Sequence, residues 1–487
     1  MTPFECLKFD NIFSELGNTY YSTTFPEACN APYIVSVNRN TASLIDLKQS
    51  AFGHTDFKKY FSGNKTFDKI NPLAMLYSGH QFGHYVEQLG DGRALLLGQV
   101  RNSNNELWDI QLKGAGVTPY SRGGDGRAVL RSTIREYLCS EAMHGLDIAT
   151  TRALCIVGTD DHVYRESIES GAILTRLAPS HLRFGSFEVF FYRRQFEAIK
   201  PLADYAIKYF FPELLHTTQT YLDWLKIVIE RTAKLFAQWQ SVGFSHGVLN
   251  TDNMSILGLT MDYGPFGFMD HYDPSHICNH SDHTGRYAFD QQPQIGLWNL
   301  SCFAQAILPI LDEDPNVAAN LAKDALTGYW SIYQKTYTGL IRKKLGFYCD
   351  QNEDATLIDD LFKIMADQSM DFTQTFRTLS MLTELDACIP IFLKNIPFTQ
   401  WLTRYQNRLK KDIDVNRHEK MNQTNPKYVL RNHLAQQAIE KAQNKDFTEV
   451  DRILKLLQTP YDEQPDMQQY SQPANESASS VIVSCSS

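Results

Sequence analysis

The chain has 487 residues, of which 43% are hydrophobic and 21% charged. This composition is typical of a globular protein and excludes a wholly disordered chain. The net charge of -9 argues against binding of nucleic acid over much of the surface, so we expect no nucleic-acid partner. No apolar run approaches the roughly 20 residues of a membrane span, and the first residues show no targeting signal. We therefore expect a cytoplasmic protein without a membrane partner, and nine scattered cysteines without a CxxC pair fit such a reducing compartment.

The first half of the chain contains most of the predicted strands. Ala94–Val100 and Leu107–Lys113 predict a hairpin that ends in a lysine, because asparagines between them favour a turn. Residues 125–144 predict a helix, for which Gly123-Gly124-Asp125 supplies an N-cap and Gly145 the end. Ala153–Val157 and Ala172–Leu177 predict two further strands.

The second half is predominantly helical by the same criteria. Apolar spacing predicts a long helix from Gln219 to Gly243, and residues 295–347 and 356–412 are mostly helical. From Thr459 the chain is rich in Pro, Gln and Ser, which favours an extended or mobile tail. A strand-rich part followed by a helix-rich part predicts an α+β protein with two lobes.

The tetrapeptide Gly-Asp-Gly-Arg occurs twice, at residues 90–93 and 124–127. Glycine lets backbone N–H groups converge on an anion, and arginine adds a bidentate fork for phosphate. For one copy taken alone, a tight turn with a solvated arginine is the simpler interpretation.

Arginine dominates the basic residues between positions 90 and 183, where ten arginines accompany a single lysine, Lys113. Lys113 ends a predicted strand and is followed by Gly114 and Gly116, which favours a charge that faces phosphate. Such a lysine needs a carboxylate partner. Glu136 is the better candidate and Glu141 its rival, because Glu136 lies closer to the apolar side of its predicted helix.

A third group of polar residues surrounds Asn253 and Asp262, which we expect on the two arms of a hairpin. Amide and carboxylate oxygens are the ligands that Mg²⁺ prefers when it bridges phosphates. Asp252 lies beside Asn253 and is a candidate to accept a proton or to help bind a second metal. Separately, each of these pieces is also an ordinary turn.

The order of these features resembles the protein-kinase-like fold. In that resemblance Gly90–Arg93 is the glycine-rich loop, Lys113 and Glu136 form the ion pair, and Asn253 and Asp262 bind metal. Asp262-Tyr263-Gly264 corresponds to the DFG motif. One departure is that His246-Gly247 is followed by Val248, where kinases have the catalytic aspartate.

This departure and the two Gly-Asp-Gly-Arg loops resemble the selenoprotein O family of pseudokinases, in its bacterial, cysteine-containing form. The similar stretches are Tyr77–Gly83, Gln111–Arg127, His246–Met254 and Cys278–Tyr287. They cover about residues 70–300, and the resemblance extends plausibly to the rest.

The resemblance implies a protein adenylyltransferase that binds ATP in a flipped orientation and transfers AMP to Ser, Thr or Tyr hydroxyls of protein substrates. It implies Asp252 as the proton acceptor, and Asn253 and Asp262 as ligands of Mg²⁺ or Mn²⁺. The implied nucleotide contacts are Gly90, Gly92, Arg93, Lys113, Asp125, Gly126, Arg176, Arg183 and Asp262. Two alternatives remain: a kinase that transfers the γ-phosphoryl group, and a catalytically inactive scaffold that binds nucleotide.

The resemblance also implies how the chain is divided. We expect an N-terminal extension at 1–70, an N-lobe at 71–185, a C-lobe at 186–415, and a helical extension with a mobile tail at 416–487. We also expect a monomer.

Two predictions concern the segment 270–283. The resemblance implies a regulatory disulfide between Cys278 and Cys485 near the C-terminus. The histidines, aspartates and cysteine of this segment also resemble a zinc site, but its position after Asp262 favours an activation-loop region.

Overall fold

The computed structural model describes residues 3–68, 70–382, 396–412, 414–474 and 483. The described strands are β1 Tyr21–Thr23, β2 Tyr33–Val37, β3 Leu73–Met75, β4 Gly79–Gln81, β5 His84–Val86, β6 Ala94–Arg101, β7 Leu107–Lys113, β8 Ala128–Val129, β9 Arg152–Tyr164, β10 Ile168–Ala178, β11 Phe244–Ser245 and β12 Gly267–Phe268. The main sheet has eight strands in the order β1-β3-β6-β7-β10-β9-β2, with β8 paired to β10, and neighbouring strands are antiparallel. β4–β5 and β11–β12 form two small separate sheets.

Helices predominate after residue 180, which confirms the α+β class and the order of strands before helices. The described helices are Arg39–Ala42, Phe57–Phe61, Leu130–Gly145, Gly185–Tyr192, Ile199–Phe210, Thr220–Ser241, Gln292–Ala306, Leu308–Leu311, Pro315–Thr327, Tyr329–Lys344, Asp354–Asp367, Phe372–Ser380, Ile396–Leu409, Arg417–Asn422, Asn432–Gln443 and Thr448–Gln458. Within the part of the chain that the structure describes, no helix is both long and apolar enough to cross a membrane.

Alternating side chains of the sheet face two different hydrophobic cores. Leu95 and Leu97 of β6 pack with residues from the first seventy of the chain, such as Phe57. Leu96 belongs instead to the core that includes the helix Leu130–Gly145. Because successive side chains of a strand point to opposite faces, this alternation places the sheet between the N-terminal residues and the helix.

The helix Leu130–Gly145 begins later than the sequence predicts. Residues 125–129 are not helical: Asp125 does not cap the helix, and the actual N-cap residue, Val129, provides no side-chain hydrogen bond. Two contacts compete with helix formation here. Ala128–Val129 pairs with β10, and both carboxylate oxygens of Asp125 are held by Arg165. The other end, at Gly145, agrees with the prediction.

The predicted hairpin between Asn253 and Asp262 is also wrong. Asn253 ends a short 3-10 turn, Thr251–Asn253, and no ladder joins the two arms in the described structure. Instead, Ser255 bridges to Arg183 and Thr260 to Thr150. These bridges attach the segment to neighbouring parts of the protein, and Ile256 and Leu257 are buried in the core that includes the helix Leu130–Gly145.

The C-terminal residues pack against the helix that carries Glu136. The helices Asn432–Gln443 and Thr448–Gln458 contact Leu130–Gly145. The tail beyond Thr459 is not extended throughout, because Pro465–Ser471 forms a 3-10 helix in which Tyr470 is 5% exposed.

Candidate active site

An ion pair between Lys113 and Glu136 joins the sheet to the helix behind it. Lys113 ends β7, and its Nζ lies 2.6 Å from Oε2 of Glu136. Glu136 is 2% exposed, and its Oε1 accepts a hydrogen bond from Nε of Arg176 at 2.5 Å. Burial and the charge of Arg176 lower the pKa of Lys113, while Glu136 opposes this shift. The rival candidate, Glu141, pairs with Arg152 instead, at 2.8 Å.

Asp262 is held by two arginines, one on each carboxylate oxygen. Arg176 Nη2 donates to Oδ1 and Arg183 Nη1 to Oδ2, both at 2.6 Å. Burial by itself raises the pKa of Asp262, but Arg176, Arg183 and Lys113 outweigh it and hold that pKa well below its ordinary value. Asp262 also has a φ of +55°, which costs a non-glycine residue about 1–2 kcal/mol. Such strain persists where surrounding contacts fix the residue, as the two arginines do here.

Asp252 lies in the turn Thr251–Asn253 and is 7% exposed. Its Oδ2 accepts a hydrogen bond from Gln81 Nε2 at 3.2 Å, whereas Oδ1 is buried and has no partner among the described residues. Burial raises the pKa of the Asp252 carboxyl to about 7, although Arg183 and Gln81 act in the opposite direction. A carboxyl with a raised pKa and one uncommitted oxygen is suited to proton transfer.

Asn253 and Asp262 are the residues that could hold a divalent metal. Asn253 Nδ2 donates to the carbonyl of Val248 at 3.0 Å, which fixes the amide and leaves its Oδ1 for another partner. An amide oxygen and a carboxylate form a hard donor set that suits Mg²⁺ or Mn²⁺. These residues therefore fit the metal, provided that an arginine first leaves a carboxylate oxygen of Asp262.

The first glycine-rich loop packs closely against a neighbouring loop. Gly90 has a φ of +76°, and a Cβ there would lie 2.4 Å from the Tyr120 ring. A Cβ at Gly92 would lie 2.7 Å from the Tyr120 carbonyl oxygen. Both positions therefore need glycine for close packing, whether or not they also contact a nucleotide.

The second glycine-rich loop also packs closely against a neighbouring loop, and its aspartate, Asp125, has a charged partner. Gly126 has a φ of +63°, and a Cβ there would lie 1.9 Å from the carbonyl of Gly116. Asp125 accepts hydrogen bonds from both terminal nitrogens of Arg165, which lower its pKa. Among the described residues, no hydrogen bond or ion pair joins Asp125 to Lys113, Arg176, Arg183 or Asp262. The charge of the exposed Arg93 contributes to lowering the pKa of both Lys113 and Asp125.

His246 has a structural role in this site. Its Nε2 donates to the carbonyl of Met261 at 2.9 Å, and its ring stacks on Trp239. Burial lowers the pKa of His246, which favours the neutral ring, and the hydrogen bond to Met261 supports the residue next to Asp262. Val248 occupies the position after Gly247 and contributes no ionisable group.

Three residues of this site have no role in the sequence-based prediction. Gln81 contacts Asp252, Gln111 Oε1 accepts from Arg176 at 3.1 Å, and the Tyr77 ring lies 4.4 Å from the Arg183 guanidinium. All three lie in the stretches Tyr77–Gly83 and Gln111–Arg127 that carry the family resemblance. That resemblance is the one signal that could have found them, since their partners are distant in sequence.

The part of the segment 270–283 between Asp270 and His280 lines a cavity of about 590 Å³, together with Ala474 and Val483 among other residues. Cys278 is buried, and its Sγ lies 2.9 Å from the carbonyl of Pro265. Cys485 lies outside the described residues, so the structure does not test the predicted disulfide. Over the described ranges, no three His, Cys, Asp or Glu side chains are grouped as a metal site would require.

Buried arginines beside hard oxygen donors and an uncommitted carboxylate indicate an enzyme that acts on a phosphate compound. Comparison with known proteins specifies the class. The family model described as "Protein adenylyltransferase SelO" matches residues 3–458. "Protein nucleotidyltransferase YdiU" of Thioalkalivibrio sulfidiphilus is 50% identical over 493 residues, and those of Thiobacillus denitrificans and Myxococcus xanthus are 48% identical over 495 and 498 residues. Each alignment covers 100% of both chains.

The chain is thus a nucleotidyltransferase. It belongs to the protein adenylyltransferase SelO family, which agrees with the resemblance found in its sequence.

Proposed function

We propose that this protein transfers AMP from ATP to Ser, Thr or Tyr hydroxyls of other proteins, in a kinase-like bilobal fold that binds ATP in a flipped orientation. The observation that carries the proposal is the pair Arg176 and Arg183, which are 3% and 2% exposed and converge on Asp262. In the flipped orientation the triphosphate end lies deepest in the pocket, and buried guanidinium groups are suited to bind it there. Ordinary kinases direct that end toward solvent and the acceptor.

For this fold we propose the domain boundaries that the family resemblance implies. Residues 1–70 are an extension on the N-lobe at 71–185, and the C-lobe at 186–415 is followed by an extension and tail at 416–487. Two observations support packing of residues 1–70 on the N-lobe: Phe57 shares a hydrophobic core with Leu95 and Leu97, and β1 and β2 are strands of the main sheet.

The phosphate-binding residues would exchange partners when ATP binds. Arg176 and Arg183 would move from Asp262 to phosphate oxygens, while Lys113 stays oriented by Glu136. The remaining proposed nucleotide contacts are Gly90, Gly92, Arg93, Asp125, Gly126 and Asp262. Mg²⁺ or Mn²⁺, held by Asn253 and Asp262, would neutralise charge on the phosphates when bound.

In the proposed reaction, the acceptor hydroxyl oxygen forms a bond to the α-phosphorus. The bond from that phosphorus to the bridging oxygen of the β-phosphate breaks, and pyrophosphate leaves. Asp252 takes the hydroxyl proton on its uncommitted Oδ1, and buried arginines stabilise the charge of the leaving pyrophosphate.

Two other functions explain fewer of the observations. A kinase that transfers the γ-phosphoryl group needs a base at the position of Val248, which is apolar. An inactive scaffold has no need of Asn253 and Asp262 beside Lys113 and Glu136.

Two ATP samples, labelled at the α- or the γ-phosphate, test the proposal. Each is incubated with the protein, Mg²⁺ or Mn²⁺, and a protein acceptor, with Asp262→Ala as the control. Label on protein from α-labelled ATP alone, lost in the control, is expected. Label from γ-labelled ATP alone contradicts the proposal, and a parallel arm with α-labelled UTP determines whether UMP is the preferred group.

A further inference from the structure

The stretch Tyr77–Gly83 carries part of the family resemblance but has no role in the proposed reaction. It forms most of a small hairpin in which β4, Gly79–Gln81, pairs with β5, His84–Val86. The turn of the hairpin uses left-handed backbone, with φ of +50° at Phe82 and +85° at Gly83. Because the hairpin is separate from the main sheet, its position depends on contacts with other parts of the protein.

Three consecutive residues of the hairpin bind the turn that contains Asp252. The His80 N–H donates to Thr251 Oγ1 at 2.7 Å, and the Phe82 N–H donates to Asn250 Oδ1 at 3.3 Å. Between them, the Gln81 side chain donates from Nε2 to Asp252 Oδ2 at 3.2 Å. The register of the hairpin on residues 250–252 therefore determines where the Gln81 amide lies.

The hairpin is held against the turn from both sides. A Cβ added to Gly79 would lie 2.9 Å from Thr251 Oγ1, so a larger residue there would push the two segments apart. On the far side, His80 Nδ1 lies 2.7 Å from Oε2 of Glu188, whose side chain is fully buried. The His80 ring also lies edge-on to Trp298, with ring centroids 5.2 Å apart. Contacts of its neighbours Gly79 and His80 thus fix the position of Gln81.

The hydrogen bond distinguishes the two oxygens of Asp252. Oδ2 is occupied by Gln81, whereas Oδ1 is buried and unpartnered within the described ranges. The donor is a neutral amide, unlike the guanidinium groups that hold Asp262. A neutral donor orients a carboxylate without neutralising its charge, so the other oxygen remains a proton acceptor.

We propose that Gln81 is a positioning residue that holds Asp252 through Oδ2 and so keeps Oδ1 as the oxygen that accepts the proton of the acceptor hydroxyl. The inference rests on the proposed role of Asp252 in protein nucleotidylation. It assigns to Gln81 a function in the chemical step, separate from ATP binding, because Gln81 has no contact with Lys113, Arg176 or Arg183 in the described structure.

The test compares Gln81→Met, which keeps the length of the side chain but removes the donor, with His84→Ala. His84 is the exposed cross-strand neighbour of Gln81 on β5, so it is a matched control for the integrity of the hairpin. The rate constant kcat and the KM for ATP are measured with α-labelled ATP and a fixed acceptor, and Kd for ATP by calorimetry. We expect Gln81→Met to lower kcat by roughly 10- to 100-fold, the usual effect of a misplaced catalytic group, with KM and Kd for ATP within about twofold. His84→Ala should match the wild type.

A second variant, Gln81→Glu, keeps the shape of the side chain and should lower kcat at least as far, since it places like charges together. The inference is overturned if either folded variant keeps the wild-type kcat, or if kcat falls together with ATP affinity and Tm as a structural role would require. The proposed function fails separately, if wild-type protein transfers no label from the α-phosphate. If the wild-type protein transfers AMP and Gln81→Met has the same kcat, only the role of Gln81 is contradicted, and the proposed function stands.

Discussion

Arg176 Nη2 lies 2.6 Å from Oδ1 of Asp262, so a residue proposed to bind phosphate is bonded to a residue proposed to bind metal. Arg183 occupies the other oxygen in the same way. Each guanidinium balances the charge of the buried carboxylate and also competes with a metal for it. Nucleotide and metal should therefore bind as a coupled pair.

This relationship predicts that Mn²⁺ binds weakly without ATP, because the arginines must first leave Asp262. Thermal-shift measurements should give a larger rise in Tm for ATP with Mn²⁺ than the sum of the two separate rises. Arg176→Met should strengthen binding of Mn²⁺ alone and weaken binding of ATP. Equal metal affinity in the wild type and this variant would contradict the proposed exchange.

Glu136→Gln should impair both folding and nucleotide binding, because Lys113 and Arg176 lose their shared partner. Breaking a buried ion pair costs about 3–5 kcal/mol, measured as the free energy of unfolding in urea. The KM for ATP should rise by roughly tenfold or more, as expected when about 1.4 kcal/mol of binding is lost.

Glu141→Gln is the matched control for that variant. Glu141 lies on the same helix and forms a buried pair with Arg152 outside the candidate site. It should lower stability to a similar extent while the KM for ATP stays near the wild-type value. A similar rise in KM in both variants would mean that the Lys113–Glu136 pair has no specific role.

Asp252→Asn should stabilise the protein in metal-free buffer at pH 8. The folded-state pKa of Asp252 is raised to about 7 from 3.8, so ionisation costs stability as pH rises between those values. A neutral residue removes this cost, which is on the order of 1–4 kcal/mol. The gain should shrink as pH falls towards 4, and no gain at pH 8 would mean that the carboxylate is better solvated than its burial indicates.

Asp262→Asn should have the opposite effect in the same buffer. Its pKa is depressed by Arg176, Arg183 and Lys113, so the carboxylate stabilises the fold above its unfolded pKa. The variant should have a lower Tm at pH 8, because three cations lose their counter-charge. The difference should decrease as pH falls through the depressed folded-state pKa. A higher Tm would contradict the charge balance described here.

The proposed Cys278–Cys485 disulfide is supported by a contact between the tail and the segment around Cys278. The His280 N–H donates to the Val483 carbonyl at 2.9 Å, and Cys485 is two residues further along the chain. With oxidised glutathione as oxidant, non-reducing peptide mapping should identify the linked peptides. Cys349→Ser, which changes an exposed cysteine, is the control. The idea fails if no linked peptide forms and Cys278→Ala leaves the response of activity to reductant unchanged.

Local pattern was sufficient where neighbours in sequence are also neighbours in space. The β6–β7 hairpin, the long helix at Thr220–Ser241 and the glycines of both loops depend on alternation, apolar spacing and backbone freedom. The pairing of Lys113 with Glu136 was also predictable, because helical periodicity places Glu136 on the inward side of its helix. Local pattern failed at Asp125, because Arg165, 40 residues away, takes the carboxylate that was expected to cap a helix.

Composition and motif order by themselves determined the α+β class, the family and the set of charged residues. Tertiary structure decided which oxygen of each carboxylate is occupied. Gln81 meets Asp252 across 171 residues, and Arg176 meets Asp262 across 86. Such pairings depend on how the hairpin, the sheet and the turn at 250–253 come together. The protonation of Asp252 and Asp262 follows from burial and neighbouring charge, which exist only after the chain has folded.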